Sequence, residues 1–304
     1  MKVSICIPVY NFDIRELVSD LKKEIEAQQF NVEIILIDDD SETKFKQINN
    51  EIQGQVDQFI YLNKNIGRSQ IRNLFLTYST GDYLLFLDCD GKITEDNFLS
   101  SYIQFIETNS ETKVVYGGRD VSEVPPDREH FLRWKFATER ENLPVTLRIK
   151  KPFLSFQTNN FIIKKEVLEK IRFNPEFQKY GYEDLLFAMD LKSEGVKVDH
   201  IQNPIFNNDL EDNKLYLEKV EESVDSLSKM LADRQLNSTL SEVKLVKAYN
   251  KIKGVGLKTL FNVFFRLSKG RVEKKLLRGN TSLRYLDFYK LGLLLNKKSI
   301  ARIN

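Results

Sequence analysis

The sequence predicts an α/β fold, an open and mainly parallel sheet covered by helices. Two observations carry this. Over the first 90 residues, short apolar runs alternate with segments whose apolar residues recur at helical spacing. Each apolar run also ends in polar or acidic residues, at the strand ends where such sheets bind ligands.

The elements follow in order. Val3–Val9 reads as a buried strand closed by Pro8, and Tyr10-Asn11 come next. Ile14, Leu17, Val18, Leu21 and Ile25 lie on one face of a helix, with Asp13 as a candidate cap. Val32–Ile37 is a continuous apolar strand running into Asp38-Asp39-Asp40-Ser41, and a polar helix comes next. Gln58–Leu62 is a strand. Ile66–Tyr78 is a helix with Ile71, Leu74, Phe75 and Tyr78 on one face, broken by Gly81-Asp82. Tyr83–Leu87 is a buried strand that ends in Asp88-Cys89-Asp90.

A second half begins near Val114–Gly118 and continues through Pro125-Pro126 and the aromatic, basic stretch Phe131–Phe136. Phe161–Ile163 and Val196–Ile201 read as strands. Lys165–Ile171, a segment opened by Glu183-Asp184 and ending at Gly195, and residues 212–235 read as helices. Leu236 to Thr239 reads as a linker. The remainder is a helical tail broken at Gly254–Gly256, Gly270 and Gly279. The expected division is thus 1–235, in halves 1–118 and 119–235, followed by a basic extension at 236–304.

Bulk properties narrow the chemistry. The 304 residues are 41% hydrophobic, enough for a real core. Two cysteines, Cys6 and Cys89, form no disulfide framework or zinc set, which suits a reducing cytoplasm. Two histidines, His130 and His200, exclude a multi-histidine metal site, and His200 reads as structural. The N-terminal apolar run stops at Pro8, short of a signal core, and no run is long enough to span a membrane. Gly54, Gly67 and Gly81 fit neither the dinucleotide fingerprint nor the phosphate loop, which argues against a dehydrogenase or an ATPase.

Three acidic groups are candidates for chemistry, each with a plainer reading. Asp88-Cys89-Asp90 is an Asp-X-Asp motif that can share a hard divalent cation, Mg²⁺ or Mn²⁺, bound to a diphosphate; otherwise it is a solvated turn. Asp38-Asp39-Asp40 can bind a base or ribose, or supply caps for the next helix. Glu183-Asp184 can provide a general base, or match a helix dipole. Trp134 is either a sugar platform or a core residue.

Together and in this order the segments resemble the family-2 inverting glycosyltransferases of GT-A fold. The residues are Ser4–Asn11, Glu33–Ser41, Asn65-Ile66-Gly67-Arg68 with Arg72-Asn73, Gly81–Asp90 and Tyr180-Gly181-Tyr182-Glu183-Asp184, and the likeness covers about residues 1–230. The resemblance implies a Rossmann-like mixed central sheet flanked by helices. It implies transfer of a sugar from a nucleotide-sugar donor, best a UDP-sugar, to a glycan or lipid-linked acceptor hydroxyl with inversion, in surface polysaccharide synthesis. Tyr10 would stack on the base and Asp39 bond its edge, with Pro8 and Asp38 at the same strand ends and Arg68 near the donor. Asp88 would face the ribose or sugar, and Asp90 with Asp88 would hold Mn²⁺ or Mg²⁺. Asp184 would be the base and Glu183 an acceptor contact, with Trp134 and Tyr182 in the acceptor site. Two positions depart from the pattern: Asn207 stands where many relatives carry a metal- or diphosphate-binding His, and Tyr182 where others carry a His.

Residues 241–304 hold 16 Lys/Arg and 3 acids, against 30 basic and 41 acidic side chains before them. Apolar Leu257, Leu260, Phe261, Phe264, Phe265 and Leu267 lie among Lys258, Arg266, Lys269 and Arg271. The tail is therefore either a basic amphipathic helix on an anionic membrane surface or a helix packed on the domain. The former would place a cytoplasmic enzyme peripherally on the inner membrane face. No motif supports nucleic acid as a partner. Two other functions fit parts of the pattern: a nucleotide-sugar-binding module without catalysis, and a nucleotidyltransferase, for which residues 8–15 lack a triphosphate loop.

Overall fold

A computed structural model describes residues 1–176, 181–207, 210–233, 236, 239–279 and 282–297. Two compact units interleave along the chain. One comprises residues 1–121, 142–178 and 183–209, and the other 122–141, 179–182 and 210–304. The linear division read from the sequence, at 118/119 and 235/236, runs differently. Residues 122–141 and the helix from 213 pack with the tail, which draws both into the second unit.

In the first unit the described strands include β1 (Val3–Val9), β2 (Val32–Asp38), β3 (Gln58–Tyr61), β4 (Tyr83–Leu87), β5 (Val114–Tyr116), β6 (Arg119–Asp120), β7 (Asn160–Lys164), β8 (Val198–His200) and β9 (Ile205–Phe206). Seven of them form one sheet in the order β3-β2-β1-β4-β7-β5-β8. Strands β1 to β4 are parallel, whereas β7 runs antiparallel to both β4 and β5, so the sheet is mixed. β6 pairs with β9 in a separate parallel ribbon.

Side chains alternate across the main sheet, and each face is buried. Ile5, Ile7, Leu85 and Leu87 point into one core with Val18 and Leu21 of α1 (Arg15–Gln28) and Tyr102 of α4 (Phe98–Thr108). Cys6, Leu84 and Phe86 point into the other, with Phe75 of α3 (Arg68–Tyr78) and Phe187 of α8 (Glu183–Ser193). This is why β1, β2 and β4 read as continuous apolar runs. Burying each such side chain contributes about 1.5–3 kcal/mol over leaving it exposed. Between α1 and α3 lies α2 (Thr43–Asn50); α6 (Val145–Arg148) and α7 (Lys165–Lys170) complete the unit's helices among the described residues.

The second unit is helical: α5 (Phe131–Phe136), α9 (Asn213–Met230), α10 (Lys244–Gly254), α11 (Lys258–Leu277) and α12 (Leu283–Asn296). Its core joins Leu132, Tyr216, Val220, Phe265, Val272, Leu276, Leu286 and Tyr289. Asp212 caps α9 by accepting from Leu215 N at 2.8 Å.

Several local readings change. Ile14, not Asp13, occupies the cap position of α1, although Asp13 still accepts from Arg15 N at 3.1 Å. None of Asp38, Asp39 and Asp40 caps α2, whose cap position is Glu42. The tail breaks near Gly256 and Gly279, both at positive φ, but α11 runs unbroken through Gly270. An interior glycine costs a helix only about 1 kcal/mol, less than the burial of Phe265, Val272 and Leu276 returns. The strand read at Val196–Ile201 shortens to β8. The linker read at Leu236 to Thr239 and the motif residue Tyr180 fall wholly or partly outside the described residues.

Candidate active site

The site is built at the carboxyl ends of β1, β2 and β4. Neighbouring loops clasp one another there. Asp39 N donates to Val9 O at 2.8 Å, Asn11 N donates to Ser41 Oγ at 2.8 Å, and Glu42 N donates to Asn11 Oδ1 at 2.7 Å. Pro8 is half-buried in β1, and Tyr10, one residue beyond that strand, is 52% exposed. A large aromatic ring left in solvent beside a buried strand end is available to stack on a flat ligand.

The three consecutive acids have separate lives. Asp38 is fully buried; its Oδ1 accepts from Ser41 N at 2.8 Å, while Oδ2 has no hydrogen-bond partner. The buried Tyr61 hydroxyl, on the strand position paired with Asp38, also lacks one. Asp39 accepts from Ile66 N at 2.7 Å and Gly67 N at 3.1 Å. Burial raises its pKa against those two bonds, and Asp38 and Asp40 push the same way. Gly67 has φ 81°, which a side chain would strain, and this lets the loop turn its amide onto Asp39 just before α3. Asp40 pairs with Lys46 at 2.8 Å on the surface.

Asp88 and Asp90 follow β4 directly. Asp88 accepts from the Arg72 guanidinium at 2.9 Å, and Arg72 is 2% exposed against 30% for the Asp88 side chain. Arg72 had appeared in the sequence only as part of a motif, and its pairing is a long-range product of α3 packing under β4. Asp90 accepts from Asn207 Nδ2 at 2.7 Å. Burial raises the Asp90 pKa, Asp88 adds to the rise, and Asn207, Arg119 and Arg68 oppose it. Cys89 between them is pushed to about 12 by burial, with Asp90 contributing, so it is no thiolate nucleophile at neutral pH.

Asn207 reaches Asp90 for identifiable reasons. Lys92, two residues after Asp90, and Phe206, immediately before Asn207, exchange two backbone bonds at 2.7 and 2.9 Å. Upstream, the buried Asn160 amide donates to Gly118 O and Asn203 O, and its Oδ1 accepts from Tyr102 at 2.7 Å. A Cβ on Gly117 would lie 2.2 Å from that Tyr102 oxygen, so the knot closes only with glycine there.

Arg68 opens α3 and lies 3.7 Å from Glu183 Oε1 at the start of α8. Its charge acts on Asp90 as well. Residues 68, 88–90 and 183 are thus brought together from three parts of the chain. Asp184 is half-buried and accepts from Leu185 N at 2.7 Å. Tyr182 precedes them with φ 71°. Trp134 is half-buried on α5; its indole N–H donates to Ser122 O at 2.7 Å and its ring packs on Phe131 at 5.2 Å. His200 is 7% exposed and lies against Pro152 O and Arg148, and burial lowers its pKa to about 4, a structural role.

Among the described residues no group of three or more His, Cys, Asp or Glu side chains could hold a metal ion. The acid pair nevertheless fits a hard divalent cation. Asn207 Oδ1 is buried without a hydrogen-bond partner, and with Asp88 and Asp90 it makes an all-oxygen donor set. Mg²⁺ and Mn²⁺ accept such a set, with ligand phosphates and water filling the remaining positions.

A mixed sheet with paired acids at the end of its central strand, beside an exposed aromatic, defines an α/β domain of the GT-A type. Residues 4–172 match the model of Glycosyl transferase family 2, over half of the sequence, and the chain belongs to that family. Among curated relatives, the minor teichoic acid biosynthesis protein GgaB of Bacillus subtilis is 30% identical over 177 residues, 56% of this chain and 19% of GgaB. Among solved structures, the mannosyltransferase PcManGT of Pyrobaculum calidifontis, in complex with GDP-Man and Mn²⁺, has TM-score 0.56 at 12% identity, covering 96% of this chain and 84% of its own. S. aureus TarS 1-349 in complex with UDP-GlcNAc has TM-score 0.52 at 17% identity, covering 97% and 89%. The chain spans under half the length of the curated relatives it matches. The family match ends before Glu183 and Asp184.

Proposed function

We propose that this chain transfers a sugar from a nucleotide-sugar, best a UDP-sugar, to a hydroxyl of a glycan or lipid-linked acceptor, with inversion and with a divalent ion. One observation carries the reading: Arg68 at the start of α3 lies 3.7 Å from Glu183 at the start of α8, which supports one site for the residues assigned here to donor and acceptor. The solved relatives holding UDP-GlcNAc, or GDP-Man with Mn²⁺, support the donor class and the ion. Teichoic acid synthesis by GgaB supports a surface polymer as the acceptor.

In this reading Tyr10 stacks on the base, and Pro8 and Asp38 shape its pocket. Asp39 bonds the base edge with what capacity its two amide contacts leave it. Asp88, steadied by Arg72, faces the ribose or sugar, and Arg68 approaches the donor. Asp90, Asp88 and Asn207 Oδ1 would hold Mn²⁺ or Mg²⁺, which when bound offsets the charge developing on the diphosphate. Asp184 takes the proton from the acceptor hydroxyl as its oxygen bonds the anomeric carbon. The bond from that carbon to the diphosphate oxygen breaks with its electron pair, and the nucleoside diphosphate leaves from the opposite face. Glu183 orients the acceptor, and Trp134 and Tyr182 contribute to acceptor binding. The protein's share of catalysis is positioning and electrostatic stabilisation.

The test is calorimetry of UDP binding with and without Mn²⁺, on wild type and Asp90→Ala. Metal-dependent binding lost in the variant supports the donor site. Absence of binding to UDP and GDP in either condition would sink the proposal.

A further inference from the structure

On α11, Phe265, Val272 and Leu276 turn into the helical core. Another face of the same helix is solvent-exposed and apolar: Leu260 is 68% exposed, Val263 52%, Phe264 60% and Leu267 77%. Positions i, i+3, i+4 and i+7 form one stripe. The stripe continues at i+11, i+14, i+15 and i+18 as Arg271, Lys274, Lys275 and Arg278, all exposed. The preceding turn adds Val255 and Leu257, 59% and 51% exposed, next to Lys253 and Lys258. This segregation was invisible in the sequence, where Phe261 and Phe265 counted equally with Leu260 and Leu267.

Large apolar side chains aligned side by side in water mark a binding surface. This one places two demands on its occupant, an apolar medium under the first turns and negative charge under the last. A nucleic acid would satisfy the charge and leave the leucines in water. An anionic bilayer meets both, because acyl chains take up the apolar stripe while headgroups neutralise the lysines and arginines. The charge balance of the extension favours the same surface. Residues 241–304 hold 16 bases against 3 acids, which an anionic surface attracts. No described helix is long and apolar enough to cross a membrane, so the helix would lie in the interface. We infer that α11 seats its Leu260–Leu267 stripe in the headgroup–acyl boundary of an anionic bilayer, with Arg271, Lys274, Lys275 and Arg278 on its phosphates. The inference is independent of the donor chemistry above.

The full chain would be floated with vesicles of phosphatidylcholine alone, or phosphatidylcholine with an equal amount of phosphatidylglycerol, at about 0.1 M and about 1 M salt. Wild type is expected on the anionic vesicles only, less so in high salt. Leu260→Ser/Phe264→Ser/Leu267→Ser and Arg271→Gln/Lys274→Gln/Lys275→Gln/Arg278→Gln should each lower partitioning roughly tenfold or more, with helix content unchanged by circular dichroism. Should the triple variant unfold, the single change Leu267→Ser reads the same face. Failure of wild type to float, or equal flotation of wild type and both variants, overturns the inference. So does a wild type that ignores vesicles and forms a dimer abolished by the apolar variant, which would assign the face to a second copy.

Discussion

The Asn207 amide donates to Asp90 Oδ2 at 2.7 Å across 117 residues of sequence, while its own carbonyl oxygen stays buried without a partner. The bond steadies a carboxylate that burial and Asp88 both disfavour. Asn207→Ala should weaken Mn²⁺-dependent UDP binding by about 10–100-fold, the usual effect of removing a group that orients a metal ligand. Calorimetry reads it. Unchanged affinity would reduce Asn207 to a packing residue.

Asp184→Asn keeps the acceptor for Leu185 N but removes the carboxylate proposed as the base. Steady-state kinetics should show kcat lower by about 10²–10⁴-fold, with UDP affinity within a factor of about two. A variant as active as wild type would move the proton-accepting role to another group.

Tyr10 is 52% exposed, so Tyr10→Ala should leave stability within about 0.5 kcal/mol of wild type. Loss of the proposed base stacking should still weaken UDP binding by about tenfold or more. Thermal melts and titration on one sample separate the two effects. A large fall in Tm with intact binding would show that the ring packs instead of stacking.

Removing the guanidinium in Arg72→Met strands the Asp88 carboxylate at the end of β4. Asp88 retains some solvent, so the expected loss is about 2 kcal/mol, below that of a fully buried pair. Adding Asp88→Asn should return part of it. Urea denaturation of the two single variants and the double variant measures the coupling, and strict additivity would refute it.

Acid stability should depend on Glu33. Burial alone would raise its pKa, but bonds from Ser4, Thr80 and Lys2 overcome that and hold it at about 2, below the ordinary 4.5. A depressed carboxylate stabilises the fold fully above its unfolded pKa and loses that contribution as pH falls toward 2. Glu33→Gln should therefore cost on the order of 3 kcal/mol at neutral pH and almost nothing near the bottom of that window. Melting temperatures across the range would reveal a gap that closes on acidification; a constant gap would mean that packing, not charge, is what the variant disturbs.

What the sequence by itself determined is what short-range periodicity and residue chemistry carry. β1, β2 and β4 are legible because burial on both faces makes each an unbroken apolar run, and the acids after β2 and β4 stand where such strands must end. The candidate residues from Pro8 to Asp90 are legible for the same reason. The tertiary structure alone decided what depends on pairing between distant segments. Nothing in Asn160–Lys164 announces that it enters the sheet antiparallel between β4 and β5. Nor does local pattern join Asn207 to Asp90, Arg72 to Asp88 or Arg68 to Glu183, or turn Asp39 away from the next helix toward the loop before α3. The same holds in the tail, where Phe265 is buried and Leu267 exposed although the two are of similar apolar character. Which face of a helix meets a core is set by the partners that arrive there, and a helix passes through Gly270 when those partners return more than the glycine costs.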